Sequence, residues 1–404
     1  MVGSLLVLTL GSPRLWVASG TQQGKSGPRM TYRFPNVYCQ LVLPADIRTS
    51  DVEKSEAIVI TDTVEIDTYL KSRSGPTIDV RSPGEFAAGH IPAAVNIPLF
   101  SDEERAQVGI AYKNQGRKHA IALGLRLVGQ KADELLTALS QFEEGEKVVV
   151  HCWRGGMRSE AFTWLALRSG LSATRICGGY KAFRRAAHAS FAEPRKIVIL
   201  SGYTGVGKTA LLQDLRTDGE QVVDLEFLAC HRGSAFGGIG QPDQPTVEQF
   251  ENDLFEIWRT LDATLPVWLE DESQSIGRVN LPLPLWDQMR LAPGIFAEAD
   301  RASRIELLVR EYGNLPAVAL GDAIGRVKKR LGGLRYQQAM VALENNQIAV
   351  FADIALRYYD DAYTTAAEKR PREKLVKFAL AKAGVAEPLK ELRSLGHQLA
   401  KATG

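Results

Sequence analysis

Cysteine is scarce in this 404-residue chain, long apolar runs are absent, and neither sign of charge is in excess. The four cysteines, Cys39, Cys152, Cys177 and Cys230, are irregularly spaced and form no Cys-x-x-Cys pair. This spacing excludes a disulfide framework and gives no sign of structural zinc. The apolar run Leu5–Leu10 is too short to span a bilayer. We therefore expect a cytoplasmic protein that does not interact with a membrane.

The charges nearly cancel, with 49 Lys and Arg against 47 Asp and Glu, for a formal net charge of +2. Any affinity for nucleic acid must therefore come from local basic patches. Hydrophobic residues make up 45% of the chain, enough to bury real cores, and the length predicts two or three domains.

From about residue 58 onward, short β-rich runs alternate with longer helical patterns. This alternation is typical of α/β domains in which helices cover a parallel sheet. Residues 49–192 form the first predicted domain, with strands at Pro76–Arg81 and Lys147–Cys152. Pro194 then interrupts a helical pattern, and the buried strand Ile197–Gly202 opens a second α/β domain.

The second α/β domain is predicted to cover residues 193–297. Beyond it, strand signals fade and amphipathic patterns continue, which predicts a helical C-terminal subdomain over residues 298–404. Residues 1–48 are left as an N-terminal extension. Three interpretations of that extension stay open: a poorly ordered segment, a signal peptide, or an upstream start ahead of Met30.

The first predicted catalytic feature is a loop that follows the strand ending at Cys152. In such a strand–loop–helix turn, backbone N–H groups and the helix N-terminus point at one spot and favour an anion or a thiolate. Two glycines let the loop curl, and two arginines add positive charge. We expect Cys152 to be the catalytic nucleophile rather than a small buried hydrophobe. The other loop residues are Arg154, Gly155, Gly156, Met157 and Arg158.

Two further segments resemble signatures of the rhodanese family. The run Asp79–Pro98 resembles its first signature, and Gly178–Phe183 resembles its closing segment. The resemblance implies a sheet-and-helix fold whose loop cysteine accepts a chalcogen atom and passes it on. We interpret the charged residues of the first segment as structural partners that hold loops. They are Asp79, Arg81, Glu85 and His90.

The spacing within the loop departs from many simple rhodaneses, which have Cys-x4-Arg. Here five residues separate Cys152 from Arg158, as in cysteine phosphatases. A longer loop can ring a tetrahedral anion, which suits either a phosphatase or an enzyme that uses selenophosphate. Selenium or sulfur bound covalently to Cys152 would distinguish the two.

A second motif, G-x-x-x-x-G-K-[ST], follows the strand Ile197–Gly202 and precedes a helical pattern, as a phosphate-binding P-loop requires. Its backbone N–H groups would cradle a diphosphate, its lysine would neutralise the charge, and its threonine would offer a hydroxyl to Mg²⁺. The predicted phosphate-binding residues are Gly202, Gly205, Gly207, Lys208 and Thr209.

Acidic and basic residues nearby supply candidate partners for that phosphate. The predicted strand Val267–Asp271 ends in two carboxylates, and we favour Asp271 over Glu270 as the Mg²⁺ partner. Arg232 and Arg278 are candidate phosphate or RNA contacts, with surface or structural salt bridges as the alternative.

The order of the motifs, a rhodanese-like unit followed by a P-loop unit, resembles the tRNA 2-selenouridine synthase family. Glu-Asp-Glu-Ser at 270–273 and His-Arg-Gly at 231–233 add to the resemblance. It implies replacement of sulfur by selenium in the wobble 2-thiouridine of tRNA, by S-geranylation from geranyl diphosphate and then exchange with selenophosphate through Cys152. It also implies a selenophosphate-supplying enzyme as a partner.

Two alternatives remain open at the level of sequence. One is an ATP-hydrolysing, kinase-like enzyme with a regulatory rhodanese module, and the other is a cysteine phosphatase. Whether the P-loop binds ATP or geranyl diphosphate is likewise open.

Two basic segments of the C-terminal region are predicted to contact RNA, with ordinary solvated helix faces as the alternative. The first contains Arg326, Lys328, Lys329, Arg330 and Arg335. The second contains Lys369, Arg370, Arg372, Lys374 and Lys377.

Overall fold

The computed structural model describes residues 21–24, 27–34, 37–42, 62–367, 375–383 and 389–402. Residues 1–60 form one compact unit and residues 61–404 another. The first unit contains a three-stranded antiparallel sheet in the order β1-β2-β3. Its strands are β1 (Thr21–Gly24), β2 (Gly27–Phe34) and β3 (Val37–Val42). They lie inside the predicted N-terminal extension, for which three interpretations were open; the rest of that extension is outside the described residues.

A five-stranded, fully parallel sheet in the order β4-β8-β7-β5-β6 organises the first part of the second unit. Its strands are β4 (Thr63–Val64), β5 (Thr77–Asp79), β6 (Val95–Asn96), β7 (Lys147–His151) and β8 (Ser172–Ile176). Seven helices connect or flank them: α1 (Ile66–Lys71), α2 (Pro83–Ala88), α3 (Asp102–Gln115), α4 (Arg117–Gln130), α5 (Ala132–Leu139), α6 (Met157–Arg168) and α7 (Gly179–Ser190).

A second five-stranded parallel sheet has the order β10-β11-β9-β14-β15. Its strands are β9 (Ile197–Gly202), β10 (Gln221–Val223), β11 (Val267–Glu270), β14 (Gly294–Glu298) and β15 (Leu375–Ala379). The short pair β12 (Ser275–Ile276) and β13 (Val279–Asn280) is antiparallel. The helices before β14 are α8 (Lys208–Thr217), α9 (Leu225–Leu228), α10 (Val247–Trp258) and α11 (Leu283–Leu291).

The chain leaves this second sheet after β14 and later returns to it. Four helices follow β14: α12 (Arg301–Tyr312), α13 (Ala317–Leu331), α14 (Gly333–Glu344) and α15 (Ile348–Ala367). Strand β15 then pairs in parallel with β14, and α16 (Leu389–Ala402) places Gly396 against the ring of Trp268 in β11.

The α/β fold class with a helical C-terminal portion is therefore confirmed. The predicted all-helical stretch 298–404 is corrected in one respect, because Leu375–Ala379 is an edge strand of the P-loop sheet. The helices from α12 to α15 thus form an insertion between two neighbouring strands. Among the described residues, no helix has both the length and the apolar character needed to cross a membrane.

The two sheets share one hydrophobic cluster, so their domains are not independent bodies. Helix α7 of the first domain packs on α10 of the second. The rings of Phe183 and Phe255 meet edge to face with centroids 5.3 Å apart, and Phe191 also contacts Phe255. Trp258 is fully buried in the same cluster. Aromatic pairs of this kind add stability beyond the area they bury.

Candidate active sites

Cys152 lies at the carboxyl end of β7, where the chain turns into α6, and is only 3% exposed. Its Sγ is 3.3 Å from the hydroxyl of buried Ser159. That hydroxyl also lies 2.9 Å from the carbonyl of Gly156. A serine hydroxyl has one proton to donate, so Ser159 can turn it either to that carbonyl or to a Cys152 thiolate. Sequence reasoning gave Ser159 no role.

The loop packs tightly against the segment that follows β8. The N–H of Tyr180 donates to the carbonyl of Cys152 at 2.9 Å. Gly155 has φ +65°, and a Cβ there would lie 2.5 Å from the carbonyl oxygen of Ile176. Only glycine fits without strain at such a position. Gly156, by contrast, has nothing within 4 Å of its Cβ position.

The two loop arginines have different surroundings. Arg158 donates to Glu85 at 2.6 Å and 3.4 Å. Burial alone would raise the pKa of Glu85, but the hydrogen bond and charge of Arg158, together with the N–H of Ser82 and the charge of Arg105, lower it below its usual value. Arg154 and Met157 are exposed at the mouth of the loop. The loop sequence predicted positive charge from both arginines, whereas Arg158 is partly neutralised by a carboxylate.

Buried polar and charged side chains pack beside the Cys152 loop. Arg81 is fully buried, forms a two-pronged ion pair with Asp79, and lies 3.9 Å from the centroid of the Tyr180 ring. His151 is fully buried beside Asp79, and burial lowers the pKa of His151 to about 4. The histidine is therefore neutral at neutral pH. His90 contacts the carbonyl of Phe86 at 3.0 Å, and Arg81 donates to the carbonyl of Gly89 at 2.7 Å.

The P-loop runs from β9 into α8, and Gly207 begins that helix in the left-handed region with φ +91°. Lys208 Nζ donates to the carbonyl of Gly202 at 3.2 Å. The P-loop is also held by the inserted helices, which the sequence did not indicate. Arg304 of α12 donates to the Thr204 carbonyl at 3.2 Å and forms a two-pronged ion pair with Asp360.

Several carboxyl groups surround the P-loop. Thr209 Oγ1 lies 3.4 Å from Glu226 Oε2, and the Ser201 hydroxyl donates to Asp271 Oδ2 at 2.6 Å. Burial, together with the neighbouring Glu226, raises the pKa of Glu272 to about 8, and the pKa of Glu226 is raised as well. Sequence reasoning missed Glu226, which is separated from the strand end Glu270–Glu272 by more than forty residues.

Glu270 belongs to the same group and is 1% exposed. Burial and its acidic neighbours raise its pKa well above the usual value, and its Oε2 accepts the N–H of Leu225 at 3.0 Å. Within the described ranges, no three or more His, Cys, Asp or Glu side chains are arranged to hold a metal. A Mg²⁺ ion at Thr209 and Asp271, as the sequence predicts, would therefore need phosphate oxygens to complete its coordination.

The other predicted phosphate or RNA contacts, Arg232 and Arg278, form backbone hydrogen bonds within the fold. The backbone N–H of Arg232 donates to Gly237 O at 3.0 Å, and Gly233 packs on Glu272. The N–H of Arg278 donates to Gln244 Oε1 at 2.8 Å. The segment 231–233 therefore lies beside the carboxyl groups of the P-loop site.

The predicted basic segments are partly engaged within the fold. Arg326 donates to the Ala235 carbonyl at 2.6 Å, Lys328 lies over the ring of Tyr336 at 4.6 Å, and Arg330 contacts Tyr358. Lys329 is exposed. In the second segment Lys377 pairs with Glu298, and the other four basic residues, 369, 370, 372 and 374, lie outside the described residues.

An apolar cleft opens beside the P-loop, with about 390 Å³ of empty space counting its open mouth. Thr204 of the P-loop lies in its wall, together with aromatic side chains of the inserted helices and of the segment before α10. Those aromatic residues are Phe236, Tyr312, Phe351 and Tyr359. The cleft therefore joins a phosphate-binding loop to an aromatic, mostly apolar wall.

Comparison with known proteins now identifies both domains. Residues 65–186 match the rhodanese-like domain, and residues 195–317 match the tRNA 2-selenouridine synthase AAA domain. A tRNA 2-selenouridine synthase of Chromohalobacter salexigens is 38% identical over 74% of this chain and 90% of its own length. The chain belongs to the tRNA 2-selenouridine synthase family. The family resemblance inferred from the motifs is thus confirmed.

Other members of the tRNA 2-selenouridine synthase family give the same result. The relative from Cupriavidus pinatubonensis is 35% identical over 73% of this chain and 89% of its own length. Among solved structures, a rhodanese-related protein from Thermoplasma volcanium covers 31% of this chain and 92% of its own length, at 17% identity and a TM-score of 0.20.

Proposed function

We propose that this protein is a tRNA 2-selenouridine synthase that works in two steps at two separate loops. In the first step, the P-loop domain transfers a geranyl group from geranyl diphosphate to the sulfur of wobble 2-thiouridine. In the second, the rhodanese-like domain exchanges the geranylated sulfur for selenium from selenophosphate. The observation that carries the proposal is the pairing of Cys152 and the P-loop in one chain, each at the end of a buried parallel strand.

The P-loop site is suited to a diphosphate joined to a hydrocarbon. Its backbone and Lys208 provide the anion cradle, because a helix N-terminus with a lysine favours phosphate groups. Thr204 links the cradle to the apolar cleft. The aromatic, mostly apolar wall of the cleft suits a hydrocarbon chain, and on this ground we assign geranyl diphosphate rather than ATP to the P-loop.

The carboxyl groups around the P-loop fit this assignment. Burial raises the pKa of Glu272 to about 8, so this group is largely protonated near neutral pH, and the pKa of Glu226 is raised as well. Protonation of Glu272 lowers its repulsion of an incoming diphosphate. Where Mg²⁺ is bound, Thr209 and Asp271 would hold it, and the ion would neutralise the departing diphosphate.

Alkylation prepares the sulfur to leave. A thiocarbonyl sulfur is a poor leaving group, whereas geranylthiolate departs readily from the electron-poor C2 of the pyrimidine. Overall, the second step breaks the C2–S bond, forms the C2–Se bond and releases geranylthiol. Water takes the phosphoryl group of selenophosphate and gives phosphate, so the oxidation states do not change. We assign Cys152 as the nucleophile of this step: its thiolate takes the phosphoryl group, selenium leaves as selenide and attacks C2, and water then releases phosphate from the sulfur.

The surroundings of Cys152 support that assignment. Ser159 is close enough to donate a hydrogen bond to a thiolate, and the loop N–H groups converge where an anion would bind. Arg154 at the mouth is available to an incoming trianion such as selenophosphate. A selenophosphate-supplying enzyme is the expected partner for this step.

Mass spectrometry of wobble nucleosides tests the proposal directly. Cells that contain the gene and are supplied with selenium should accumulate 2-selenouridine, and cells without the gene should retain 2-thiouridine. Without selenium, S-geranyl-2-thiouridine should accumulate. Identical nucleosides with and without the gene would contradict the proposal. Phosphoester cleavage without RNA would then indicate a phosphatase, and ATP turnover tied to phosphorylation of a substrate would indicate a kinase-like enzyme.

A further inference from the structure

Residues 106–130 form a 25-residue stretch with no Asp or Glu and with four Lys or Arg. In the structure this stretch covers most of the α3–α4 hairpin, an insertion between β6 and β7. The two helices meet at Gly116, and every residue from Tyr112 to His119 is exposed. The hairpin tip, defined as Tyr112–His119, is therefore a solvent-exposed basic and aromatic surface.

The hairpin tip lies next to the mouth of the Cys152 loop. Arg117 Nη2 is 3.9 Å from the Sδ of Met157, which is the first residue of α6. Met157 is 45% exposed, and Trp153 and Arg154 are exposed on the same short loop. An RNA whose reactive base reaches Cys152 must therefore pass close to the tip.

The basic residues of the hairpin tip are not committed to other parts of the protein. Within residues 62–367, Lys113, Arg117 and Lys118 form no ion pair, and the only hydrogen bond of Arg117 goes to a thioether. This differs from the segment chosen from sequence, in which Arg326 and Arg330 are hydrogen-bonded to other segments. Cations without carboxylate partners retain their full charge for phosphates.

We propose that the hairpin tip, with Trp153, binds the single-stranded RNA that flanks the base reacting at Cys152. This assignment rests on the proposed function. Lys113, Arg117 and Lys118 contact phosphates, and the exposed rings of Tyr112 and Trp153 stack on unpaired bases. Basic side chains interleaved with aromatic rings are the common means of binding unpaired nucleotides.

The test uses fluorescence anisotropy, across a salt titration, to measure the binding of an anticodon stem-loop RNA with 2-thiouridine at the wobble position. Lys118→Glu should weaken binding by at least roughly fivefold near 0.15 M salt and lower the salt slope by about 0.7–0.9, the contribution of one phosphate contact. Lys113→Gln combined with Lys118→Glu should roughly double the change in slope. Lys118 lies in the first turn of α4, where an acidic residue is favourable, so the variant should fold.

Arg126→Glu is the matched control. Arg126 is on the same helix, is exposed and has no ion pair in the described part of the chain, but it lies eight residues beyond Lys118. That separation is about 12 Å along the helix, more than the Debye length of about 8 Å at 0.15 M salt. Its reversal should leave RNA affinity within about twofold of wild type, an effect expected of a charge beyond the Debye length.

Each outcome tests either the hairpin proposal or the proposed function. If the Lys118 variants bind RNA as tightly as wild type while wild type makes 2-selenouridine, the hairpin proposal is wrong and the function stands. If Lys118→Glu instead raises only the KM for enzyme-supplied selenophosphate, the tip is a protein-docking surface and the RNA proposal is again wrong. If wild type neither binds the RNA nor converts it, the proposed function itself fails.

Discussion

The Cys152 loop and the P-loop share one backbone arrangement but differ in the side chains around it. Each follows a buried parallel strand, opens a helix, and contains glycine with positive φ, such as Gly155 at +65° and Gly207 at +91°. Around Cys152, a carboxylate pairs with Arg158 and a serine faces the thiol. Around the P-loop, buried carboxyl groups with raised pKa values face a lysine.

The comparison shows that the turn alone does not determine the chemistry. Converging N–H groups favour an anion in either loop. The side chain at the centre then decides the outcome, because a thiolate can act as a nucleophile and an ammonium group can only stabilise charge. The two loops should therefore fail separately when they are altered.

The largest expected effect is from Cys152→Ala, which should abolish selenium incorporation because a methyl group cannot act as a nucleophile. Geranylation should persist, so S-geranyl-2-thiouridine should accumulate when both co-substrates are supplied. Nucleoside mass spectrometry measures both products. Cys177→Ala, at an exposed cysteine, is the control and should keep full activity. Full selenation by Cys152→Ala would show that another group is the nucleophile.

The second-largest effect should come from Lys208→Ala, which should impair geranylation and spare selenation. Lys208→Ala removes the charge that stabilises the departing diphosphate, so geranylation should fall by about 10²-fold or more, as for other groups that stabilise developing charge. Given synthetic S-geranyl-2-thiouridine RNA and selenophosphate, the variant should still make 2-selenouridine. If a correctly folded Lys208→Ala protein loses both steps equally, the two loops do not divide the reaction as proposed.

A smaller effect should separate two neighbouring glycines of the Cys152 loop. Gly155→Ala forces a Cβ against the Ile176 carbonyl at positive φ, and such strain costs of the order of 1–3 kcal/mol. Gly156→Ala meets open space at negative φ and should be nearly neutral. Urea unfolding and selenation rates of the two variants provide the measurement. Equal losses in both would mean that the backbone conformation at Gly155 does not hold the loop.

The smallest effect concerns pH and the P-loop surroundings. Burial raises the pKa of Glu272 from 4.5 to about 8, so the folded protein keeps a proton that the unfolded chain releases across that range. Stability should therefore fall as pH rises through this window. Glu272→Gln has no carboxyl group to ionise, so its Tm should depend less on pH. Its Tm should exceed that of wild type by the largest amount above about pH 8. Parallel Tm profiles for the two proteins would contradict the raised pKa of Glu272.

Both loops could be predicted from sequence because each is a local pattern: a strand, a glycine-rich turn and a helix within about fifteen residues. Glu226 could not, because its approach to Thr209 depends on how β10 and β11 align. Strand β15 was missed because 76 residues separate the end of β14 from its start, and five residues carry little signal alone. Helix α3 was missed because its apolar residues do not gather on one face.

The hydrophobic cluster shared by α7 and α10 affects whether either domain can be produced without the other. A fragment that ends near residue 192 would leave Phe183 and Phe191 facing water, without Phe255 and Trp258 to cover them. We expect such a fragment to aggregate rather than to fold as a detachable module. The two domains should therefore be inherited together, because a recombination event that exchanged one of them for a distant homologue's would have to bring a matching aromatic surface with it.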